Sequence, residues 1–237
     1  MHKIFLNTNC IFNDTIEILG DEFKHIKALR LRANDEIIVC DGQMNDYFCL
    51  VKNIYKDKAM LSIKKISKSN TELTKNIFLF QALTKADKFE FVIQKSVELG
   101  VNKIIPIICD YCDVKNNPGE NKLTRWHKIS KSAAEQSGRG IIPKILEPMD
   151  FKSAVSFSNN IDLNFIAHEK SNCSIKNYSF NSDSIGIFVG PEGGFSESEI
   201  EFAASSNIKA VSLGKRILRT ETAALFILSS IVFETQL

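Results

Sequence analysis

Along this 237-residue chain the spacing of apolar residues changes near residue 70, and the change demands two kinds of structure. Upstream, Lys3 to Leu6, Glu36 to Cys40, Tyr47 to Ile54 and Ala59 to Ile66 are short runs rich in Ile, Val and Phe. Turn signals such as Asp41-Gly42 and Lys56-Asp57-Lys58 separate them, so they read as strands of a small barrel or half-barrel. Between the first two, Asp21 to Leu29 has helical spacing, with Phe23, Ile26 and Ala28 apolar and His25, Lys27, Arg30 and Arg32 around its end. Phe23 belongs to the core on this reading. Ser67 to Thr74 is polar and aperiodic, which sets a boundary between domains 1–70 and 71–237.

Downstream, strands alternate with helices. The spacing predicts strands over Ile77 to Leu83, Val101 to Ile108, Asp162 to Ala167, Ser184 to Val189 and Ala210 to Leu213. It predicts helices over Asp87 to Leu99, with Asp87 and Glu90 as a capping box and Gly100 as the stop, and over Lys122 to Ser137, burying Leu123, Trp126, Ile129 and Ala133. Ser196 with Glu199 caps a further helix, and Thr220 opens the last one, to about Glu234. Repeated strand and helix alternation argues for an α/β domain with a parallel, helix-covered sheet.

Composition narrows the classes. With 44% hydrophobic and 24% charged residues the chain is globular rather than disordered. Its longest apolar run, Ala223 to Phe233, is broken by Ser229 and Ser230, so no membrane span is expected. Asn7, Thr8, Asn9 and Asn13 stand where a secretory signal would be apolar, which points to the cytoplasm. The six cysteines then read as free thiols; Cys109-Asp-Tyr-Cys112 has redox or half-zinc spacing, but no second pair or nearby His completes a ligand set, and no metal is expected. A net charge of +2 neither requires nor forbids RNA.

Four segments offer chemistry. Gly190-Pro191-Glu192-Gly193-Gly194-Phe195-Ser196 joins a strand to a capped helix, where ligands of open α/β sheets bind. It holds a carboxylate and no cation, so a positively charged, phosphate-free ligand suits it better than a polyphosphate; a tight strand–helix turn is the alternative. Leu213 to Ala223 places Lys215, Arg216 and Arg219 just before a helix amino terminus, where the macrodipole disfavours cations, so an anionic partner or developing negative charge is inferred. Glu135-Gln136-Ser137-Gly138-Arg139 taken alone reads as a helix C-cap. Ala167-His168-Glu169 follows a strand end and reads equally as a hydrogen-bonded surface pair.

Taken in order, these segments, with His25 to Arg30, Gln81 to Lys88 and Gln94 to Gly100, make the chain resemble the RsmE family. These are SPOUT-superfamily methyltransferases acting on N3 of a uridine in the decoding region of bacterial 16S rRNA. The resemblance implies a PUA-like β-barrel followed by an α/β trefoil-knot domain that binds S-adenosyl-L-methionine, and a homodimer whose closing helix serves core and interface. By position it gives cofactor contacts to Ala167, His168, Glu169, Gly190, Pro191, Glu192, Gly193, Gly194, Leu213, Gly214, Arg216, Ile217 and Leu218. For the reaction we expect Arg219 to stabilise the N3 anion, with Arg139 of the partner subunit beside it, and Glu221 or Glu192 to compete with water as the base. His25, Lys27, Arg30 and Arg32 are the expected grip on rRNA of the small ribosomal subunit. Where the family often carries a basic run after the second strand, Cys109-Asp110-Tyr111-Cys112 is acidic, which argues against an RNA contact there. A silent RNA-binding assembly factor and a methyltransferase of another RNA base are the competing functions.

Overall fold

A computed structural model describes residues 1–6, 11–12, 14–114 and 119–236; Asn7, Thr8, Asn9, Cys10 and Asn13 lie outside them. The chain forms two compact units, 1–72 with 134–142 and 73–133 with 143–237.

The first unit is a six-stranded sheet with one helix. Its strands are β1 (His2–Phe5), β2 (Ile11–Phe12), β3 (Thr15–Ile18), β4 (Glu36–Cys40), β5 (Asn45–Ile54) and β6 (Ala59–Lys68), in the order β1-β4-β5-β6-β3-β2. β1 runs parallel to β4 and every other pair is antiparallel. Two register shifts, at Phe48/Cys49 and Val51/Asn53, bend β5 against β6. The helix α1 (Gly20–Ala28) buries Phe23 and Ile26 among Ile4, Ile16, Ile37, Val51 and Leu61. The strands β2 and β3, of two and four residues, are additions to the sequence reading.

Residues 134–142 belong to this unit because two buried ion pairs hold them there. The Lys3 ammonium meets Asp46 at 2.8 Å and also donates to the Gly138 carbonyl at 3.1 Å. Arg139 is 2% exposed and paired with Glu72, which also accepts the Gly140 N–H at 2.9 Å. Buried charges of this kind persist only when paired, and removing one partner is costly.

The second unit is a seven-stranded, wholly parallel sheet. Its strands are β7 (Asn76–Ala82), β8 (Lys103–Ile108), β9 (Lys144–Ile145), β10 (Met149–Asp150), β11 (Leu163–Ala167), β12 (Ser184–Val189) and β13 (Lys209–Val211). The order is β10-β8-β7-β12-β11-β13, with β9 also on β8. Among the described residues five α-helices accompany it, α2 (Ala86–Glu98), α3 (Glu120–Gln136, whose end lies in the first unit), α4 (Phe151–Ser158), α5 (Glu197–Ser205) and α6 (Thr220–Gln236), with a short 3-10 turn at Ile175–Asn177. The core centres on Phe80 and Phe188, stacked at 4.1 Å, with Ile105, Ile107, Phe151, Ile166 and Phe195 around them.

Two local expectations change. The cap of α2 is Lys85, which makes no side-chain cap hydrogen bond; Asp87 is already inside the first turn, and Glu90 pairs with Arg125 at 2.6 Å instead of closing a capping box. Gly100 does stop α2, with φ +89°, a left-handed value that suits glycine. At α5 the capping box forms as read: Ser196 accepts the Glu199 N–H, and Glu199 accepts the Ser196 N–H at 2.8 Å.

Candidate functional site

Parallel pairing sets the carboxyl ends of β7, β12, β11 and β13 side by side. Val189 lies opposite Gln81, Phe188 opposite Ile166, and Val211 opposite Ala167. The segments that leave these strands, from Ala167, Val189 and Val211, therefore emerge at one edge of the sheet, where open α/β sheets place ligands.

The chain then crosses back over that edge. After β13, outermost beyond β11, residues 212–219 return two strands inward so that α6 begins beside β12 and β7. A hydrogen-bond relay fixes the return: Gln81 Nε2 donates to Thr220 Oγ1 at 2.9 Å, and Thr220 Oγ1 donates to the Gly190 carbonyl at 2.6 Å. Gln81 and Thr220 are both buried, so this short polar path joins β7, the glycine loop and α6 in a low-dielectric setting.

Under the crossing lies a cavity of about 380 Å³, within the size range of small-molecule sites. Ala167, His168 and Glu169, residues 189–194, Leu213, Gly214, residues 216–220 and Ala223 line it. The structure thus brings together every residue to which the resemblance gave a cofactor contact, and adds Val189, Arg219, Thr220 and Ala223.

The wall is shaped by backbone. A Cβ on Gly190 would stand 3.1 Å from the Phe195 ring, and one on Gly193 would stand 3.1 Å from Tyr111 Cβ. Gly194 and Gly214 have φ +73° and +118°, which side-chain-bearing residues rarely adopt. Val189, Leu213, Ile217, Leu218 and Ala223 supply apolar surface, while Glu169 and Glu192 supply negative charge. Such a lining suits a ligand with a flat apolar part and a cation.

Charges gather on one side. Lys88 on α2 meets Glu192 at 2.5 Å, a pairing the loop sequence alone does not show. The Lys88 hydrogen bond holds the Glu192 carboxyl below its ordinary value, and the same bond raises Lys88, with Glu221 adding to the rise and Arg219 opposing it. Lys88, Glu192, Arg219 and Glu221 therefore form one electrostatic cluster. The Arg219 side chain is exposed and makes no ion pair among the described residues, whereas Glu221 has one buried carboxylate oxygen without a hydrogen-bond partner there.

The remaining predicted residues lie elsewhere. Arg139 is committed to Glu72 in the first unit and does not line the cavity. The C-cap reading of its segment holds for Gly138, which turns the chain at φ +73° so that the Arg139 N–H reaches the Ala134 carbonyl at 2.9 Å. His25 and Lys27 are exposed on α1; Lys27 donates to the Lys56 carbonyl at 3.0 Å and stands 4.5 Å over the Phe23 ring. Arg30, at φ +56°, and Arg32 follow, both exposed. Gln81, Lys88 and Thr220 were not assigned to the site from sequence. The available signal was a glutamine ending an otherwise apolar strand, which must be satisfied once buried.

No helix among the described residues is long and apolar enough to cross a membrane, and no group of three or more His, Cys, Asp or Glu residues among them is placed to hold a metal ion. Cys40, Cys49, Cys109, Cys112 and Cys173 are free.

Known proteins align with this geometry. The family described as an RNA methyltransferase domain matches residues 71–232, and the RNA methyltransferase PUA domain matches residues 18–64. A Bacillus subtilis protein named ribosomal RNA small subunit methyltransferase E is 33% identical, over 94% of this chain and 91% of its own. The Mesomycoplasma hyopneumoniae protein of the same name is 37% identical, over 98% and 99%. A crystal structure of the Neisseria gonorrhoeae methyltransferase E bound to S-adenosyl methionine superposes with a TM-score of 0.90 at 32% identity, covering 98% of this chain and 97% of that one. With its parallel sheet, its returning carboxyl-terminal segment and its PUA-like first domain, the chain has the α/β fold of the SPOUT methyltransferases and belongs to the ribosomal RNA small subunit methyltransferase E family.

Proposed function

We propose that this protein methylates N3 of a uridine in the decoding region of 16S rRNA, using S-adenosyl-L-methionine. The observation that carries the reading is the cavity under the returning segment, with an exposed guanidinium at Arg219, unpaired among the described residues, on its wall. The cavity residues fit that donor: glycines where a Cβ would crowd Phe195 or Tyr111, apolar side chains for a flat ring, and carboxylates for a cation. When bound, the donor supplies an electrophilic methyl group on a sulfonium.

The chain's own residues do the rest. Gln81 and Thr220 hold the glycine loop to α6, so the wall is preorganised, and positioning of this kind accounts for roughly 7–11 kcal/mol in well-oriented reactions. Arg219 pairs with a carbonyl oxygen of the uracil as N3 loses its proton and charge spreads onto that oxygen. Glu221, with a carboxylate oxygen buried and without a hydrogen-bond partner among the described residues, is our candidate to accept the N3 proton. Glu192, held ionised by Lys88, faces the donor. Arg139 is assigned to the scaffold of the first unit through Glu72 rather than to the reaction.

Lys27, Arg30 and Arg32 offer cations, and His25 a ring N–H, to RNA phosphates. We further propose a cytoplasmic homodimer. Phe226 and Phe233, one heptad apart on α6, are 43% and 71% exposed, and Phe91 on α2 is 43% exposed, which favours a second copy as their cover. Sedimentation of Phe226→Asp/Phe233→Asp is expected to give monomers where the native protein gives dimers.

The decisive experiment is mass spectrometry of 16S rRNA nucleosides from a deletion strain. Loss of one 3-methyluridine is expected. Unchanged rRNA would favour a silent assembly factor, and loss of a different methylated base would move the chemistry off N3.

A further inference from the structure

The cysteine pair after β8 has no part in the chemistry above, and its geometry is specific. Cys109 and Cys112 are the ends of a turn closed by the Cys112 N–H donating to the Cys109 carbonyl at 3.1 Å. Turn ends of that type lie under about 7 Å apart at Cα, overlapping the roughly 4.4–6.8 Å span that a disulfide bridges. The Cys112 sulfur is already turned toward Cys109, accepting the Cys109 N–H at 3.2 Å.

These donors favour the anionic form of one sulfur. Cys112 is lowered below the ordinary thiol value, chiefly by the Cys109 thiol and then by the N–H groups of Cys109 and Leu83, while Cys109 is raised by the same contact and by burial. One member of the pair is thus the nucleophile and the other the resolving thiol.

The turn is also fastened to the proposed cofactor loop. Tyr111, between the cysteines, lies against Gly193. Asp110 accepts from Ser196 Oγ at 2.6 Å, and its N–H donates to Glu199 at 3.0 Å. A change of shape at residues 109–112 therefore reaches the glycine loop directly.

We propose that Cys109 and Cys112 form a reversible oxidation site that closes to a disulfide with a hydroperoxide as oxidant and loosens the adjoining glycine loop. A hydroperoxide is chosen because Cys109 and Cys112 are both buried, which disfavours bulky disulfide oxidants. The Cys112 thiolate attacks the terminal peroxide oxygen; the O–O bond breaks, Cys112 becomes a sulfenic acid, and the leaving oxygen takes up a proton. The Cys109 sulfur then attacks the Cys112 sulfur; the S–O bond breaks, and hydroxide leaves with the Cys109 proton as water. Two thiols are oxidised and hydrogen peroxide is reduced to two waters. Closing the bond draws the sulfurs to about 2.05 Å, and the turn, with Tyr111, must follow.

The test is treatment of the reduced full-length protein with stoichiometric hydrogen peroxide, followed by alkylation under denaturing conditions and peptide mass spectrometry. The expected result is one peptide holding Cys109 and Cys112, lighter by two hydrogens and unalkylated until dithiothreitol is added, while exposed Cys173 is alkylated as usual. Calorimetry with S-adenosyl-L-methionine is expected to show roughly fivefold or greater weakening on oxidation, the low end of site-to-site couplings, reversed by dithiothreitol and absent in Cys109→Ser/Cys112→Ser. Alkylation of both cysteines after peroxide, or their overoxidation without a bridge, overturns the site; a bridge with unchanged affinity overturns the coupling. The coupling rests on the cofactor reading, and the arms keep the two apart: a reduced protein that binds no donor defeats that reading, while the mass measurement still decides the bridge.

Discussion

At the scale of single residues, the site depends on where charge is held and where it is left available. Arg219 is exposed and unpaired among the described residues while its neighbour Thr220 is buried in a relay, so adjacent positions serve different ends. Arg219→Ala is expected to lower methyl transfer by roughly 10²–10³, the usual effect of deleting a charge-stabilising donor, with donor affinity little changed. Single-turnover assays beside calorimetry check this, and native turnover would remove Arg219 from the mechanism. The Lys88–Glu192 pair has a pH signature. Glu192 is lowered from 4.5, so its contribution is present above that value and is lost as pH falls through the depressed one. Lys88 is raised from 10.5, so its contribution is present below that value and is lost as pH rises through the elevated one. The pair's own contribution should therefore be flat across the interval between, and in Lys88→Met the acid-side fall of donor affinity, measured by calorimetry, should begin at higher pH.

At the scale of elements, close packing between neighbouring strands fixes the sheet beneath the site. Gly186 on β12 is the register partner of Asn164 on β11. A Cβ there would come within 2.1 Å of Asn164 Oδ1, while Asn164 Nδ2 donates to the carbonyls of Ser158 at 2.9 Å and Ile161 at 3.1 Å, holding the end of α4. Gly186→Ala is expected to destabilise by about 1–3 kcal/mol, the cost of overpacking a filled core. In the double variant with Asn164→Ala the loss should be smaller than the sum, because the obstructing atom is gone. Denaturant titration of the four proteins measures it. The cap of α5 was readable because its ligands are three residues apart, whereas the cap expected at Asp87 failed because the helix begins earlier, at Ala86, and Glu90 finds Arg125 on α3.

At the scale of the whole molecule, the two units divide the work in the proposed function. Arg30→Ala/Arg32→Ala in the first unit is expected to weaken RNA binding and flatten its salt dependence, a slope set by the number of phosphates neutralised, while donor binding in the second unit stays native. Filter binding across a salt series, with calorimetry as control, tests this, and a fall in donor affinity would make the cluster structural. The sequence by itself determined the class of each unit and the stretches that matter, because period-two alternation, helical spacing, caps and glycine-rich turns are local chemistry carried by residues close together in the chain. Only the tertiary structure decided that residues 134–142 join the first unit, that Arg139 answers Glu72, that Lys88 answers Glu192, and that Gln81 and Thr220 secure the returning segment. Those partners are 67 to 139 residues apart, and no periodicity spans such distances. Their pairing is set by which remote segments the fold brings together, and for Gln81, Thr220 and Arg139 burial leaves few other partners.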